Sequence, residues 1–183
     1  MIGVDEVGRG SLAGPVVVCA ARFERIPRSP LVRDSKRLTA RQRRETADWL
    51  RKTCPAWVVV EVWQEVVDRV NILEATRLAM RAAAGSLLEP GIEVVVDHVE
   101  LGDLGVPVHS PPRADADYFS VAAASVLAKV HRDLIMTELA AVDDRWEWSR
   151  NMGYGTVGHR RAIGRWGRSY LHRQSFRASP VLP

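Results

Sequence analysis

A chain of 183 residues, 46% apolar and 26% charged, has an ordinary globular composition, which excludes disorder and fibrous repeats and suits one compact domain. Two cysteines, Cys19 and Cys54, are too few for a disulfide framework, and no apolar run approaches the roughly 20 residues that span a bilayer. Asp5 and Glu6 also stand where an export signal would be basic and then apolar, so a cytoplasmic protein without membrane contact is expected.

The net charge of +4 is uneven: residues 145–183 carry eight arginines against Glu147 alone, while residues 1–144 carry 18 cations and 21 acids. A basic segment on a slightly acidic body suits a phosphate grip beside a cation-binding centre. Only Lys36, Lys52 and Lys129 among the 26 cations are lysines, so a biased genome is the alternative source of the arginines.

Ile2–Val7 and Pro15–Phe23 are β-branched runs joined by Gly8-Arg9-Gly10-Ser11-Leu12-Ala13-Gly14, which predicts a hairpin with a glycine-rich loop. Residues 24–34, broken by Pro27 and Pro30, read as a loop. Thr39 and Gln42 have capping-box spacing, predicting a helix over about 40–52 that Pro55 ends. Ala56–Trp63 reads as a third strand, and Asn71 with Glu74 repeats the cap signal before a helix with small and apolar residues at Ala75, Leu78, Ala79 and Ala82. Ile92–Asp97, apolar but for Glu93 and its last residue, predicts a central strand, and Val106–His109 a short fifth. Tyr118–Ala141 is the longest helical pattern, with its Val121–Ala128 half buried all round, and residues 156–167 give one more helix. This order predicts an α/β sandwich on a mixed sheet, one domain over residues 1–183 with 144–183 as a basic extension packed on it.

Three acidic positions stand out. Asp5-Glu6 lies at the loop end of an apolar strand, Asp97 ends the most apolar strand, and Asp115 precedes the most buried helix. Carboxylates are seldom buried unless paired or coordinating a metal, and acids at strand ends without a cysteine or histidine cluster favour hard cations such as Mg²⁺ or Mn²⁺. Each could instead end a strand or cap a helix, and adjacent strand residues point to opposite faces, so Asp5 and Glu6 share one site only at a strand end or bulge. The five histidines, 98, 109, 131, 159 and 172, show no ligand spacing and read as surface residues or supports around the site.

Asp5-Glu6-Val7-Gly8-Arg9-Gly10 resembles the opening signature of ribonuclease HII, the type 2 ribonuclease H family. The resemblance continues in order through Asp34-Ser35-Lys36, Asn71-Ile72-Leu73, Ala123-Ala124-Ser125, Ala128-Lys129-Val130-His131-Arg132-Asp133, Gly153-Tyr154-Gly155-Thr156 and His172-Arg173-Gln174-Ser175-Phe176. It implies a ribonuclease H-like fold and hydrolysis, with two Mg²⁺ or Mn²⁺ ions, of the RNA strand of RNA/DNA hybrids and at single ribonucleotides in duplex DNA.

The resemblance puts the metal-binding, catalytic carboxylates on Asp5, Glu6, Asp97 and Asp115, the last chosen over Asp117 by its spacing from Ser125. It gives the 2′-OH contact to Gly8-Arg9-Gly10 and junction reading to Tyr154. Ser35, Lys36, Lys129 and Arg173 are the expected phosphate contacts. Two positions depart from the family pattern: Arg113 stands where lysine is usual, and Ser11 where proline is common. A monomer is expected. A non-catalytic nucleic-acid-binding module of the same fold is the alternative; a DNA exonuclease or resolvase would leave Gly8-Arg9-Gly10 without a role. The sister ribonuclease HIII usually lacks that arginine and carries an extra N-terminal domain, for which the position of Asp5 leaves no room.

Overall fold

The hairpin forms as the two β-branched runs predict, with β1 over Ile2–Val7 and β2 over Val16–Arg22 paired antiparallel from Ile2↔Arg22 to Val7↔Val17. The computed structural model describes residues 1–27 and 38–177, so Asp34, Ser35 and Lys36 lie outside the described residues. Helix α1 (Ala40–Thr53) starts on the capping box, with the Thr39 side chain accepting from the Gln42 amide and Gln42 returning to the Thr39 amide. It leads into β3 (Ala56–Val62), α2 (Gln64–Val70) and α3 (Ile72–Gly85), where Asn71 accepts from the Leu73 and Glu74 amides. Strands β4 (Val94–Val96) and β5 (Val108–His109) precede the one-turn α4 (Ala114–Asp117), the long α5 (Phe119–Val142), the short α6 (Trp148–Asn151) and α7 (Val157–Trp166).

The sheet order is β3-β2-β1-β4-β5, antiparallel among the first three strands and parallel from β1 to β4 and β4 to β5. One face packs on α1 and α5 through Val17, Cys19, Ala21, Leu50 and the alanines of α5; the other packs on α3 through Ile2, Val4, Ala79, Met80 and Ala83. The expected buried half of α5 is confirmed except at half-buried Ser125. In α3 the buried stripe is Ala75, Thr76, Ala79, Met80, Ala83 and Ala84, while Leu78 and Ala82 face outward. Gly3 brings α5 onto β1: a Cβ there would lie 2.2 Å from Ser120 C and Val121 N, so only hydrogen fits.

Sequence reading missed α2, α4 and α6, segments of seven, four and four residues that are too short to show helical periodicity. The basic tail makes a core of its own, with Trp146, Trp148, Ile163 and Leu171 packed against Leu12, Ala13 and Met136. Among the described residues no helix is long and apolar enough to cross a membrane.

Candidate active site

Parallel pairing of β1 with β4 runs Ile2↔Val94, Gly3↔Val95 and Val4↔Val96, so the next residues, Asp5 and Asp97, come side by side at the carboxyl ends of the two strands. That is where open α/β sheets place their ligands. No bulge is needed to bring Glu6 in. The β1–β2 register is unbroken, and Asp5 faces α5, where the Ser125 side chain favours its charged form. Glu6 lies on the other face at the strand end, where the field of Asp97 reaches both acids.

The electrostatics are those of anions held together without enough cations. Burial, then the neighbouring Glu6 and more weakly Asp97, push Asp5 up to about 7, against the opposing effect of the Ser125 side chain. Burial also raises Glu6, opposed by the Arg9 guanidinium 3.2 Å from its Oε1. Glu6 Oε2 is buried and has no hydrogen-bond partner among the described residues. A lone-pair oxygen left over beside two other carboxylates is a donor set for a hard divalent cation.

Asp97 Oδ1 accepts the Ala114 amide at 2.8 Å, which ties α4 to the site. On that turn Asp115 is buried and Asp117 exposed. Asp115 lines a cleft with Ile26, Tyr118 and Phe119. Asp5, Glu6 and Asp97 are electrostatically joined, and Asp115 is held next to them through Ala114. Among the described residues no three acid, histidine or cysteine side chains close tightly enough to enclose an ion as they stand.

The Gly8–Pro15 loop beside these acids is built jointly with the tail. Ser11 bridges Tyr154, Ala13 bridges His172, and the Leu12 amide donates to the Gly153 carbonyl at 2.8 Å. Gly8 has φ +90°, and a Cβ on it would lie 2.3 Å from Arg132 Nε. Gly10 is different: its φ is not positive and a Cβ would meet nothing within 4 Å, so the fold itself does not require glycine there. Tyr154 is half-buried, with the Arg132 guanidinium 5.3 Å from its ring centroid. Lys129, half-buried on α5, donates to Asp133 at 2.6 Å.

The structure places Arg173, the expected phosphate contact, and two of the histidines in the interior. The Arg173 guanidinium donates to the Arg9 carbonyl at 2.8 Å and the Gly14 carbonyl at 3.0 Å, because carbonyls turned inward by the loop need donors and the guanidinium fork supplies them. His159 and His172 are also fully buried, which leaves them as supports beside the Tyr154 segment and not as surface residues. Their Nε2 atoms are 3.0 Å apart, His159 Nδ1 meets the Tyr154 carbonyl at 2.9 Å, and the Ser169 amide donates to His172 Nδ1.

Sequence reading assigned no site role to Ser125 or Arg132. Arg132 stands in a polar run with Lys129, His131 and Asp133, and nothing in the local sequence marks either residue.

The profile of the family described as Ribonuclease HII matches residues 2–179. The chain belongs to the ribonuclease HII family. A ribonuclease HII of Chlorobium luteolum is 46% identical over 181 residues, covering 96% of this chain and 87% of the relative. Among solved structures, the ribonuclease H2 from Pyrococcus horikoshii superposes with a TM-score of 0.80 at 26% identity, over 97% of this chain and 93% of that one. Bst-RNase HIII in complex with Mn²⁺ shares the fold, with a TM-score of 0.76 at 24% identity over 96% of this chain and 66% of that one. Membership makes the chain an endoribonuclease of the ribonuclease H type, and the mixed sheet flanked by helices is the family's α/β fold.

Proposed function

We propose that the chain hydrolyses the RNA strand of RNA/DNA hybrids and incises duplex DNA on the 5′ side of single ribonucleotides, leaving 3′-OH and 5′-phosphate ends. The observation that carries this reading is the meeting of Asp5, Glu6 and Asp97 at the ends of two parallel strands, with Glu6 Oε2 buried and unpartnered beside a glycine-rich loop. Asp5, Glu6 and Asp97, with Asp115 from α4 as the fourth, would hold two Mg²⁺ or Mn²⁺ ions. Such ions, when bound, supply charge neutralisation at the phosphate, a water of lowered pKa and stabilisation of the departing 3′-oxygen.

The chain's own groups do the rest. Asp97 is kept in one orientation by the Ala114 amide, and the Ser125 side chain favours the charged form of Asp5. The water oxygen bonds to phosphorus as the phosphorus–O3′ bond breaks, and the proton ends on the released 3′-hydroxyl. Selectivity for RNA needs a reader of the 2′-OH. The open space at Gly10 supports close approach of a sugar to the main chain of Gly8-Arg9-Gly10. Tyr154, bridged to that loop at Ser11, would pack on the sugar that follows, and half-buried Lys129 would contact phosphate. We further propose that the protein acts as a monomer, with the tail as part of the same domain.

The test is a labelled DNA duplex carrying one ribonucleotide, incubated with and without Mg²⁺ or Mn²⁺ beside an all-DNA duplex. A metal-dependent nick 5′ of the ribose and none in the control is the expected result. Binding without a nick would replace the proposal with a non-catalytic module, and cutting of both duplexes with a general nuclease.

A further inference from the structure

We propose that Arg132 is the positioning residue that locks the Gly8–Gly10 loop and Tyr154 into one recognition surface, an inference that rests on the function proposed above. Arg132 rises from the middle of α5 and is fully buried, yet among the described residues its hydrogen bonds all end on main-chain carbonyls and none on a carboxylate. Nε donates to Pro15 O at 2.9 Å and Nη2 to Ala13 O at 3.1 Å, both on the hairpin loop. Nη1 donates to Met152 O at 2.8 Å, two residues before Tyr154. The guanidinium also lies over the Tyr154 ring.

The glycines around Arg132 have the room that this contact needs. A Cβ on Gly8 would lie 2.3 Å from Nε, and one on Gly153 3.3 Å from Nη2. One side chain therefore touches the segment that would read the 2′-OH and the segment that would read the junction. A buried charge is tolerated only when its donors are satisfied, so the two segments cannot separate without leaving part of the fork unpaired. Lysine keeps the charge, but a single ammonium does not reproduce a planar fork spanning two loops. Arg173 is the contrast: its side-chain bonds end on Arg9 and Gly14, within the hairpin loop only.

The discriminating experiment is a double-mutant cycle between Arg132→Lys and Tyr154→Ala. It reads incision at a single ribonucleotide relative to cleavage of a uniform hybrid, well below the unfolding temperature of each variant. Each single variant should lower that ratio about tenfold, and the double variant no further, because contacting groups in one network are not additive. Arg173→Lys should slow both substrates together and leave the ratio in place. A folded Arg132→Lys variant with an unchanged ratio, or losses that multiply in the double variant, would overturn the proposal.

Arg132→Gln, which keeps an amide donor and removes the buried charge, serves where Arg132→Lys does not fold. In the wild-type chain, the amides of Leu12, Ala13 and Tyr154 should gain hydrogen-exchange protection together when a hybrid is added, and protection of one loop alone overturns the clamp. The same cycle read as duplex affinity in EDTA keeps its meaning in a protein that cuts nothing, so the loss of the activity reading and the loss of the clamp are separate outcomes.

Discussion

Replacing Gly3 by alanine should disturb stability and activity through one contact. The new Cβ would sit 2.2 Å from Ser120 C and Val121 N, where carbon atoms pack at about 3.5–4.0 Å, so α5 would have to withdraw from β1 by roughly 1.3 Å. Overpacking costs about 1–3 kcal/mol where side chains can yield. Here both partners are backbone and no rotamer relieves the overlap, so a loss of about 3 kcal/mol or more is expected, which for a chain of this length is a fall of roughly 6–12 °C in Tm. The same helix carries Ser125, which faces Asp5, and a displacement of about 1 Å at the proposed catalytic group can cost on the order of a hundredfold in rate. Thermal and urea unfolding beside a nicking assay measure both effects. Gly85→Ala is the control, because a Cβ there meets nothing within 4 Å. A Gly3→Ala loss below about 1 kcal/mol with full activity would refute the rigid β1–α5 contact.

Asp97→Asn should keep the hydrogen bond from the Ala114 amide while removing a charge that pushes on Asp5, so Tm should hold or rise. Nicking should fall by more than about a hundredfold, beyond what loss of an outer partner produces, and retained turnover would take Asp97 out of the metal site. The buried His159–His172 pair is satisfied when both rings are neutral, and burial followed by the facing His159 holds His172 down to about 4. Because the folded value lies below the unfolded one of about 6.5, His172 costs no stability above pH 6.5, and stability drains away by on the order of 3 kcal/mol as pH falls towards 4. Asp5, held up, works in the opposite direction, so urea unfolding of His172→Gln against wild type isolates the effect; parallel pH profiles would contradict it. Neutralising Arg161 and Arg165, exposed on α7, should lower the slope of log affinity against log salt by close to 2, at about 0.9 per phosphate, and an unchanged slope would reduce the arginine excess to composition.

The carboxylates were legible because strand ends are local: Asp5 and Asp97 each terminate a β-branched run, and parallel register then sets them side by side. The main helices were legible for the same reason, through Thr39, Asn71 and the apolar run of α5. Long-range partners were not legible. An arginine reads as a surface charge until something distant buries it, and Arg173 meets Arg9 and Gly14 across about 160 residues of chain. His159 and His172 lack ligand spacing because they serve each other and a carbonyl. Leu78 matches the apolar pattern of α3 but points to solvent, since alanines and Met80 already fill the sheet-facing stripe.

The bridges from Ser11 to Tyr154 and from Ala13 to His172 give the hairpin loop a particular place in the order of assembly. Made near the start of synthesis, the loop acquires its partners only when Gly153, Leu171 and Arg173 have emerged, so it is translated first and completed last. Contacts of such sequence separation form late, since the chain entropy must be spent before they repay it. The central strands and α5 can therefore gather the acids before the loop proposed to select a ribose exists. A fragment ending at Gly167 should retain helical signal yet lose discrimination between ribose and deoxyribose in binding, and undiminished discrimination would show that the loop is finished without the tail.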